Sequence, residues 1–540
     1  MARLSAAGRG RQITGELGLL GISALLFALS FPSFLSKWGW GPLAYVSIAP
    51  VFAVVHRASW PRTFGWGALY GFGSYALLNF WLATWHPLGL LVVPTIYAGH
   101  LVLLFPILKL IDGRFPRWGW LLQGVAWIGY EYVKTLGYLG YPYGILGYSQ
   151  YLFVPLIQVA SLAGVWAVSV LVLFPSLLLG NAIRDGVAAA GHFLKRRLPA
   201  VAVYCLAFAA ALVYGLASPV DTAHVRRWKV ALVQQNVDPW RGGDEAYRAS
   251  LEALVRQSLQ AIQRGPEIVI WSETSFVPSI DWHTRYRTDD ARYKLVKHLR
   301  EFLDTQKLSY VIGNNDGQRR VLPSGEAVRL DYNATLLYRS GEIIDTYRKL
   351  RLVPFSEHFP FRGILTWMYE LLQKFDIHFY ERGEIPVVYE DAGVRFSTPI
   401  CYEDTFGYLG RLFVGRGADV LVNMTNDSWA GSVACAMQHM AMGVLRTVEN
   451  RRSLVRSTNG GITVIVDPNG RILAMLDPFV EATLIGEVPI VRDITTPYTR
   501  HGDWLAQASL AATLALVLGC LVMLAAGRRA AGAPPHAGGG

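Results

Sequence analysis

Apolar and polar positions separate into long blocks along this chain. From about residue 16 to 217 seven apolar stretches follow one another, near 16–35, 41–56, 64–85, 88–110, 118–134, 153–181 and 198–217. Each approaches the roughly 20 residues that an α-helix needs to cross a bilayer. The sixth is long enough to tilt or to begin in the interface, and an eighth lies near 504–526. Between the last two, residues 224–495 have ordinary globular composition and alternate β-rich with helical runs. Strands are expected at Val230–Gln235, Ile268–Trp271, Tyr310–Ile312, Asn333–Arg339, around Ile343–Tyr347, and at Val394–Ile400, Val420–Asn423, Leu454–Ser457, Ile462–Val466 and Ile472–Leu476. Helices are expected near 244–264, 288–307, 405–416 and 434–450. Such alternation predicts an α/β layered domain. Residues 357–384 break the rhythm with Phe359, Phe361, Trp367, Tyr369 and Phe375, and are expected to form either a membrane-dipping arm or a loop packed on the domain.

Charge gives these blocks a direction. Basic residues gather at the N-terminus (Arg3, Arg9, Arg11), after the second span (Arg57, Arg62), after the fourth (Lys109, Arg114, Arg117), after the sixth (Arg184, Lys195, Arg196, Arg197) and behind the eighth (Arg528, Arg529). The alternate loops hold little beyond Lys37 and Lys134. The positive-inside rule then puts the basic loops and both termini in the cytoplasm and the polar segment on the other side. The first span is expected to stay as an anchor, not to be cleaved as a signal peptide. The net charge of +11 does not point to nucleic acid, because much of the excess sits in these short loops. The expected organisation is a cytoplasmic tail at 1–15, a seven-helix membrane domain at 16–222, an extracytoplasmic α/β domain at 223–497, a membrane helix at 498–527 and a disordered cytoplasmic tail at 528–540.

Four cysteines in 540 residues do not suggest a disulfide framework. Cys205 and Cys520 fall in apolar runs, and Cys435 in an expected helix where it would be buried and inert. Cys401 follows an expected strand, as do Glu273 and Lys349, and α/β domains place their sites at strand ends. Taken singly, such a cysteine is ordinarily a small buried hydrophobe, and such a Glu or Lys a solvated loop charge. Together they make a reactive set. A thiol with a pKa near 8.5 needs a base or a nearby cation, a carboxylate can take its proton, and an ammonium can stabilise the thiolate and an oxyanion. His439 is expected to be a packed or hydrogen-bonded helix residue. Glu131 and Lys134, three apart at the outer end of the fifth span, would either pair or touch headgroups. No Cys/His cluster has zinc spacing and no Gly-rich phosphate loop follows a strand, so neither metal nor nucleotide cofactor is expected.

The runs Trp271-Ser272-Glu273, Tyr347-Arg348-Lys349-Leu350-Arg351-Leu352-Val353-Pro354-Phe355-Ser356-Glu357 and Cys401-Tyr402-Glu403 resemble the Glu, Lys and Cys signatures of the nitrilase superfamily, in that order. With eight spans around them, the chain is similar to the apolipoprotein N-acyltransferase family. Gly147-Tyr148-Ser149-Gln150, Gln158 and Gly164 resemble that family's fifth-to-sixth span region. Asn426-Asp427-Ser428-Trp429, Gln438-His439, Arg446, Glu449, Arg452, Arg456, Thr458 and Asn459 resemble its post-nucleophile segment. The resemblance implies a multi-span α-helical membrane domain of about eight helices plus an α/β nitrilase-like αββα sandwich. It implies Cys401 as nucleophile, Glu273 as base and acid and Lys349 at the oxyanion, with Glu357, Tyr402, Glu403 and Trp240 in support. It implies a phospholipid acyl donor, a diacylated lipoprotein acceptor, the outer face of a bacterial inner membrane and a monomer. Two rivals remain: a membrane-tethered amidase or hydrolase that uses water, and a catalytically silent binding module. The chain departs from the family pattern at Ser272, Ser356 and Ala430, and at Gly460-Gly461 after Asn459. Ser356, in place of a glycine, requires a backbone conformation open to a Cβ.

Overall fold

A computed structural model of the chain describes residues 6–85, 87–185, 187–238, 241–359, 361, 363–374 and 379–531. It divides into two compact units, Met1–Gln150 with Trp166–Ala210 and Asp503–Gly540, and Tyr151–Val165 with Ala211–Gly502.

The first unit is helical. Among the described residues five helices are long and apolar enough to cross a bilayer: Gly8–Leu29, Gly89–Arg114, Val165–Arg184, Lys195–Ala217 and Trp504–Ala526. The other three expected spans are helical but shorter or less apolar. Residues 41–56 carry Ala44–Ser47 and Ala49–Arg57, residues 64–85 carry Trp60–Leu78 and Leu82–Trp85, and residues 118–134 carry Gly119–Val133. Proline at 42 and 50 interrupts the first. The helix Trp60–Leu78 dilutes its aliphatic residues with glycine, tyrosine and tryptophan. The helix at the N-terminus begins at Ala6, ahead of the expected start at 16, and the last helix runs on to Ala531. Residues 532–540, in the expected disordered tail, lie outside the described residues.

Glu131 and Lys134 are sealed inside this unit, which removes the headgroup reading. Glu131 Oε1 accepts from the Leu146 N–H at 2.9 Å. Lys134 Nζ donates to the Tyr75 hydroxyl at 2.8 Å and the Tyr143 carbonyl at 3.0 Å. Buried polar groups need such partners, and here neutral dipoles provide them.

The sixth expected span is broken. Gly164 takes φ +70, a left-handed conformation that residues with a Cβ adopt only at a cost. It separates the short helices Val154–Ile157 and Ala160–Ala163 from Val165–Asp185. The segment before the break belongs to the second unit: Gln158 Nε2 donates to the Asn469 carbonyl at 2.8 Å, and Gln158 Oε1 accepts from Arg451 Nη1 at 2.6 Å.

The second unit is a four-layer α/β sandwich. Its strands are β1 Arg227–Gln234, β2 Ile268–Ile270, β3 Ser309–Val321, β4 Ala327–Arg339, β5 Glu342–Arg348, β6 Tyr389–Asp391, β7 Val394–Ser397, β8 Val420–Thr425, β9 Ser453–Thr458, β10 Val464–Val466, β11 Ile472–Met475 and β12 Ala482–Pro489. One sheet has the order β12-β1-β2-β3-β4-β5 and the other β11-β10-β9-β8-β7-β6. Each has a parallel core, β1-β2-β3 and β7-β8-β9, flanked by antiparallel strands. The sheets face each other: Trp228 packs on Phe396 at 5.2 Å, Ser457 Oγ donates to the Ile270 carbonyl at 3.0 Å, and the Thr335 and Thr398 hydroxyls meet at 2.6 Å. The helices Asp244–Ile262 and Asp290–Asp304 cover the outer face of the first sheet, with Leu254, Leu295 and Leu299 in its core. Parallel strands buried on both faces read as continuous apolar runs, and β2 and β8 are buried at every position.

The β3–β4 hairpin is longer than expected, 13 residues on each side. Its outer half includes Asn, Asp and Gly, which have low strand propensity, and cross-strand pairing from Asn314↔Ala334 out to Val321↔Ala327 makes it a strand. β6 and β12 were not expected either. β12 forms because its full length pairs antiparallel with β1.

Candidate functional site

Three loops at strand ends converge inside the second unit. Glu273 follows β2, Lys349 follows β5, and Cys401 opens a 3₁₀ turn, Cys401–Thr405, after β7. β3 passes close behind the Glu273 turn: a Cβ on Gly313 would lie 2.1 Å from the Ser272 carbonyl oxygen, so only glycine fits there.

Glu273 is almost fully buried and each of its oxygens is held. Oε1 accepts from Asn333 Nδ2 at 2.8 Å and from Lys349 Nζ at 3.3 Å, and Oε2 accepts from the Asn426 N–H at 2.9 Å. Lys349 also donates to Glu357 Oε1 at 2.8 Å, and Glu357 Oε2 accepts from the Val353 N–H at 2.8 Å. Burial pushes the Glu273 carboxyl up; Lys349 opposes this and Glu357 adds to it. Burial works against the Lys349 ammonium, but the carboxylates of Glu357 and Glu273, with Cys401, outweigh it and hold its pKa well above the ordinary lysine value. Lys349 is therefore a fixed cation.

Cys401 is partly exposed. Its φ of +50 is left-handed, a strained conformation costing on the order of 1 kcal/mol or more that surrounding structure must over-determine. Two bonds secure it from below: Asn423 Nδ2 donates to the Cys401 carbonyl at 3.0 Å, and His439 Nε2 lies 3.2 Å from the same oxygen. Burial raises the thiol pKa, the Glu273 charge raises it further and Lys349 pulls it down. The thiol thus sits within electrostatic reach of both the carboxylate and the ammonium.

Glu403 is fully buried and ties the Lys349 loop to the Cys401 turn. Oε1 accepts from the Leu350 N–H at 2.7 Å and the Arg351 N–H at 2.9 Å, Oε2 accepts from the Ile400 N–H at 2.7 Å, and the Tyr347 hydroxyl lies 2.8 Å from Oε2. Burial pushes its carboxyl up to about 7, against the pull of these donors. Tyr402 is buried beside Phe406, ring centroids 4.9 Å apart. Trp240 lies outside the described residues. The backbone at Ser356 is not left-handed; that conformation falls on Phe355, at φ +65, so the side chain at 356 is accommodated without strain. His439 is buried and hydrogen-bonded.

Asn333 and Asn423 were not singled out from the sequence. The only signal they offer is a carboxamide inside an otherwise apolar strand, which ordinarily must find a buried partner. Asn426 was singled out only by resemblance, and its N–H leaves no side-chain signal, because any residue but proline would supply it.

Residues 23–178 match the family described as apolipoprotein N-acyltransferase N-terminal domain, and residues 229–497 match carbon-nitrogen hydrolase. Apolipoprotein N-acyltransferase 1 of Treponema pallidum is 42% identical over 527 residues, 94% of this chain and 96% of its own length. Apolipoprotein N-acyltransferase 1 of Treponema denticola is 38% identical over 95% of this chain and 97% of its own. Apolipoprotein N-acyltransferase 2 of Treponema denticola is 27% identical over 90% and 93%. With identity of this extent across both units, the chain belongs to the apolipoprotein N-acyltransferase family.

Proposed function

We propose that this chain is a membrane enzyme that moves a fatty acyl group from a phospholipid to the α-amine of a diacylglyceryl-cysteine through a thioester on Cys401. The observation that carries the reading is a partly exposed thiol beside a buried carboxylate and a permanently charged ammonium. Glu273 takes the Cys401 proton as the sulfur attacks the ester carbonyl. The raised pKa of Glu273 suits it to hold that proton. The tetrahedral oxyanion forms beside the Lys349 ammonium, which Glu357 keeps in place. The C–O bond breaks, Glu273 returns the proton to the leaving oxygen, and a lysophospholipid departs. The amine then attacks the thioester carbonyl and gives its proton to Glu273, which passes it to the sulfur as the C–S bond breaks. Glu403 and Tyr402 support the nucleophile's turn, and Trp240 contacts substrate. No cofactor takes part.

The five membrane-length helices favour a lipid donor over a soluble one. Between Phe361 and Leu371 the aromatic segment exposes Ile364 (82%) and Trp367 (65%), while Phe359 anchors it inward. That apolar surface suits a bilayer interface, where an arm would lead lipid to Cys401. The loop charges support a bacterial inner membrane setting with the α/β unit outside and both termini in the cytoplasm, and the enzyme acts as a monomer. The test mixes purified protein with phospholipid and a diacylated lipopeptide and weighs the products. A triacylated peptide with lysophospholipid is expected; free fatty acid without triacylated peptide would establish the hydrolase reading instead.

A further inference from the structure

Beneath Cys401 lies a set of four buried charged side chains that the acyl-transfer steps do not use. His439, on the helix Val433–Asn450, reaches Asp427 Oδ1 with Nδ1 at 2.9 Å and Asp404 Oδ1 with Nε2 at 2.9 Å. Nε2 is also 3.2 Å from the Cys401 carbonyl oxygen. All three partners are acceptors, so both ring nitrogens must carry protons and the ring is an imidazolium. Two carboxylates outweigh its burial and the nearby Arg456 and raise its pKa to about 9. Arg456, on β9, donates to Asp404 and lies 3.6 Å from Asp427. Two anions and two cations therefore balance, with each side chain almost wholly buried.

The partners of His439 lie on two different catalytic loops. Asp404 is in the Cys401–Thr405 turn, whose first residue has the strained φ of +50. Asp427 directly follows Asn426, whose N–H holds Glu273 Oε2 at 2.9 Å. One ring thus joins the nucleophile's turn to the turn that clamps its base.

We propose that His439 is a positioning residue for acyl transfer, which bridges the Cys401 turn to the Asn426–Asp427 turn and so sets the separation and electrostatic balance of thiol and base. The inference rests on the thioester reading of Cys401. The charged groups facing the ring are Asp404 from the Cys401 turn, Asp427 from the turn after β8 and Arg456 from β9. Removing the imidazolium leaves one carboxylate of this set uncompensated, and Asp427 already pushes the Cys401 thiol up. His439→Gln then displaces the thiol titration further upward.

The test measures Cys401 alkylation by iodoacetamide against pH in the full-length protein, alongside kcat and KM with phospholipid and a diacylated lipopeptide. For His439→Gln the alkylation profile is expected to move up by about one pH unit, a tenfold slower reaction at a fixed pH below the pKa. kcat is expected to fall at least tenfold with KM nearly unchanged, as befits lost transition-state stabilisation. In His439→Gln/Asp427→Asn the charge balance returns, and the alkylation profile is expected to move back toward wild type. A folded His439→Gln with wild-type profile and kcat would overturn the proposal. So would equal displacement in the single and double variants, which would mark a packing role alone. Should the single variant fail to fold, the charge-balanced double variant decides, and failure of both would also overturn it. If the profiles shift as expected while even wild type forms no triacylated peptide, the hold of His439 on the thiol stands and the functional reading falls.

Discussion

Each of the two units buries a glutamate and a lysine, and the pairs behave differently. In the helical unit Lys134 is solvated by a phenol and a carbonyl, with the Tyr75 and Tyr130 rings 5.4 and 5.9 Å from its ammonium. Glu131 accepts from the Leu146 N–H. In the α/β unit Lys349 lies between two carboxylates, 3.3 and 2.8 Å away, and a partly open thiol lies within their field. Buried charge alone does not make a reactive site. Neutral dipoles can satisfy it and leave nothing for a substrate, whereas the Glu273–Lys349–Glu357 set is built around a group that can gain and lose a proton.

The comparison can be tested by substitution. The largest effect belongs to Cys401→Ala, which removes the proposed nucleophile. Turnover is expected to fall about 10⁴-fold or more, with no acyl-enzyme in the intact mass after exposure to phospholipid. Next is Glu273→Gln, which keeps the side chain's shape but cannot take a proton. The rate of thioester formation should drop by about 10²–10⁴-fold in single-turnover assays. A residual drop below tenfold would move the base elsewhere.

The sharpest contrast sets Lys349→Met against Lys134→Met. Each removes a buried cation, and thermal unfolding should register a loss of up to about 3–5 kcal/mol where an anion is left unpaired. Only Lys349→Met should abolish acyl transfer as well. If Lys134→Met lowers kcat per folded molecule to the same degree, the distinction between the two sets collapses.

The smallest effect concerns Glu403 and pH. Its carboxyl pKa is raised in the folded state, from 4.5 to about 7. Its contribution is therefore fully present below about pH 4.5 and is lost as pH rises toward and through 7, because the unfolded chain ionises first. The loss amounts to roughly 3 kcal/mol. Melting temperatures of wild type and Glu403→Gln should converge or cross over that window. Parallel curves would show that the carboxyl titrates alike in both states.

Much of the fold is legible in the sequence because each element carries its own period. The helices at 244–262, 290–304, 407–415 and 433–450 and most parallel strands lie close to where the pattern predicts them. What was missed has its cause in pairing partners far along the chain. β12 exists because β1 needs an edge neighbour, and the outer β3–β4 hairpin because two polar strands run together. The count of spans matches only roughly, for a local reason: among the described residues five of the expected spans are single helices of membrane-crossing length and hydropathy, and the runs rich in Gly, Pro, Tyr and Trp are helical but shorter or less apolar. Gly164, inside the sixth run, ends a helix by its positive φ.

At the site the same division holds. The sequence alone places Glu273, Lys349 and Cys401 after strands, and thiol chemistry explains why those three types belong together. Its basic loops also supply the expectation of which side of the membrane each block faces. Only the tertiary structure decides that Asn333 spans Glu273 and Glu357, that Glu403 gathers N–H groups from two loops, and that left-handed backbone falls on Cys401 and Phe355 but not on Ser356. The physical reason is range. Hydrophobic period and helix breaking act over a few residues, while a buried hydrogen bond or ion pair is chosen by whatever the completed fold brings within about 3 Å. That is why His439, unremarkable on its own helix, becomes the bridge between two loops only when Asp404 and Asp427 are folded against it.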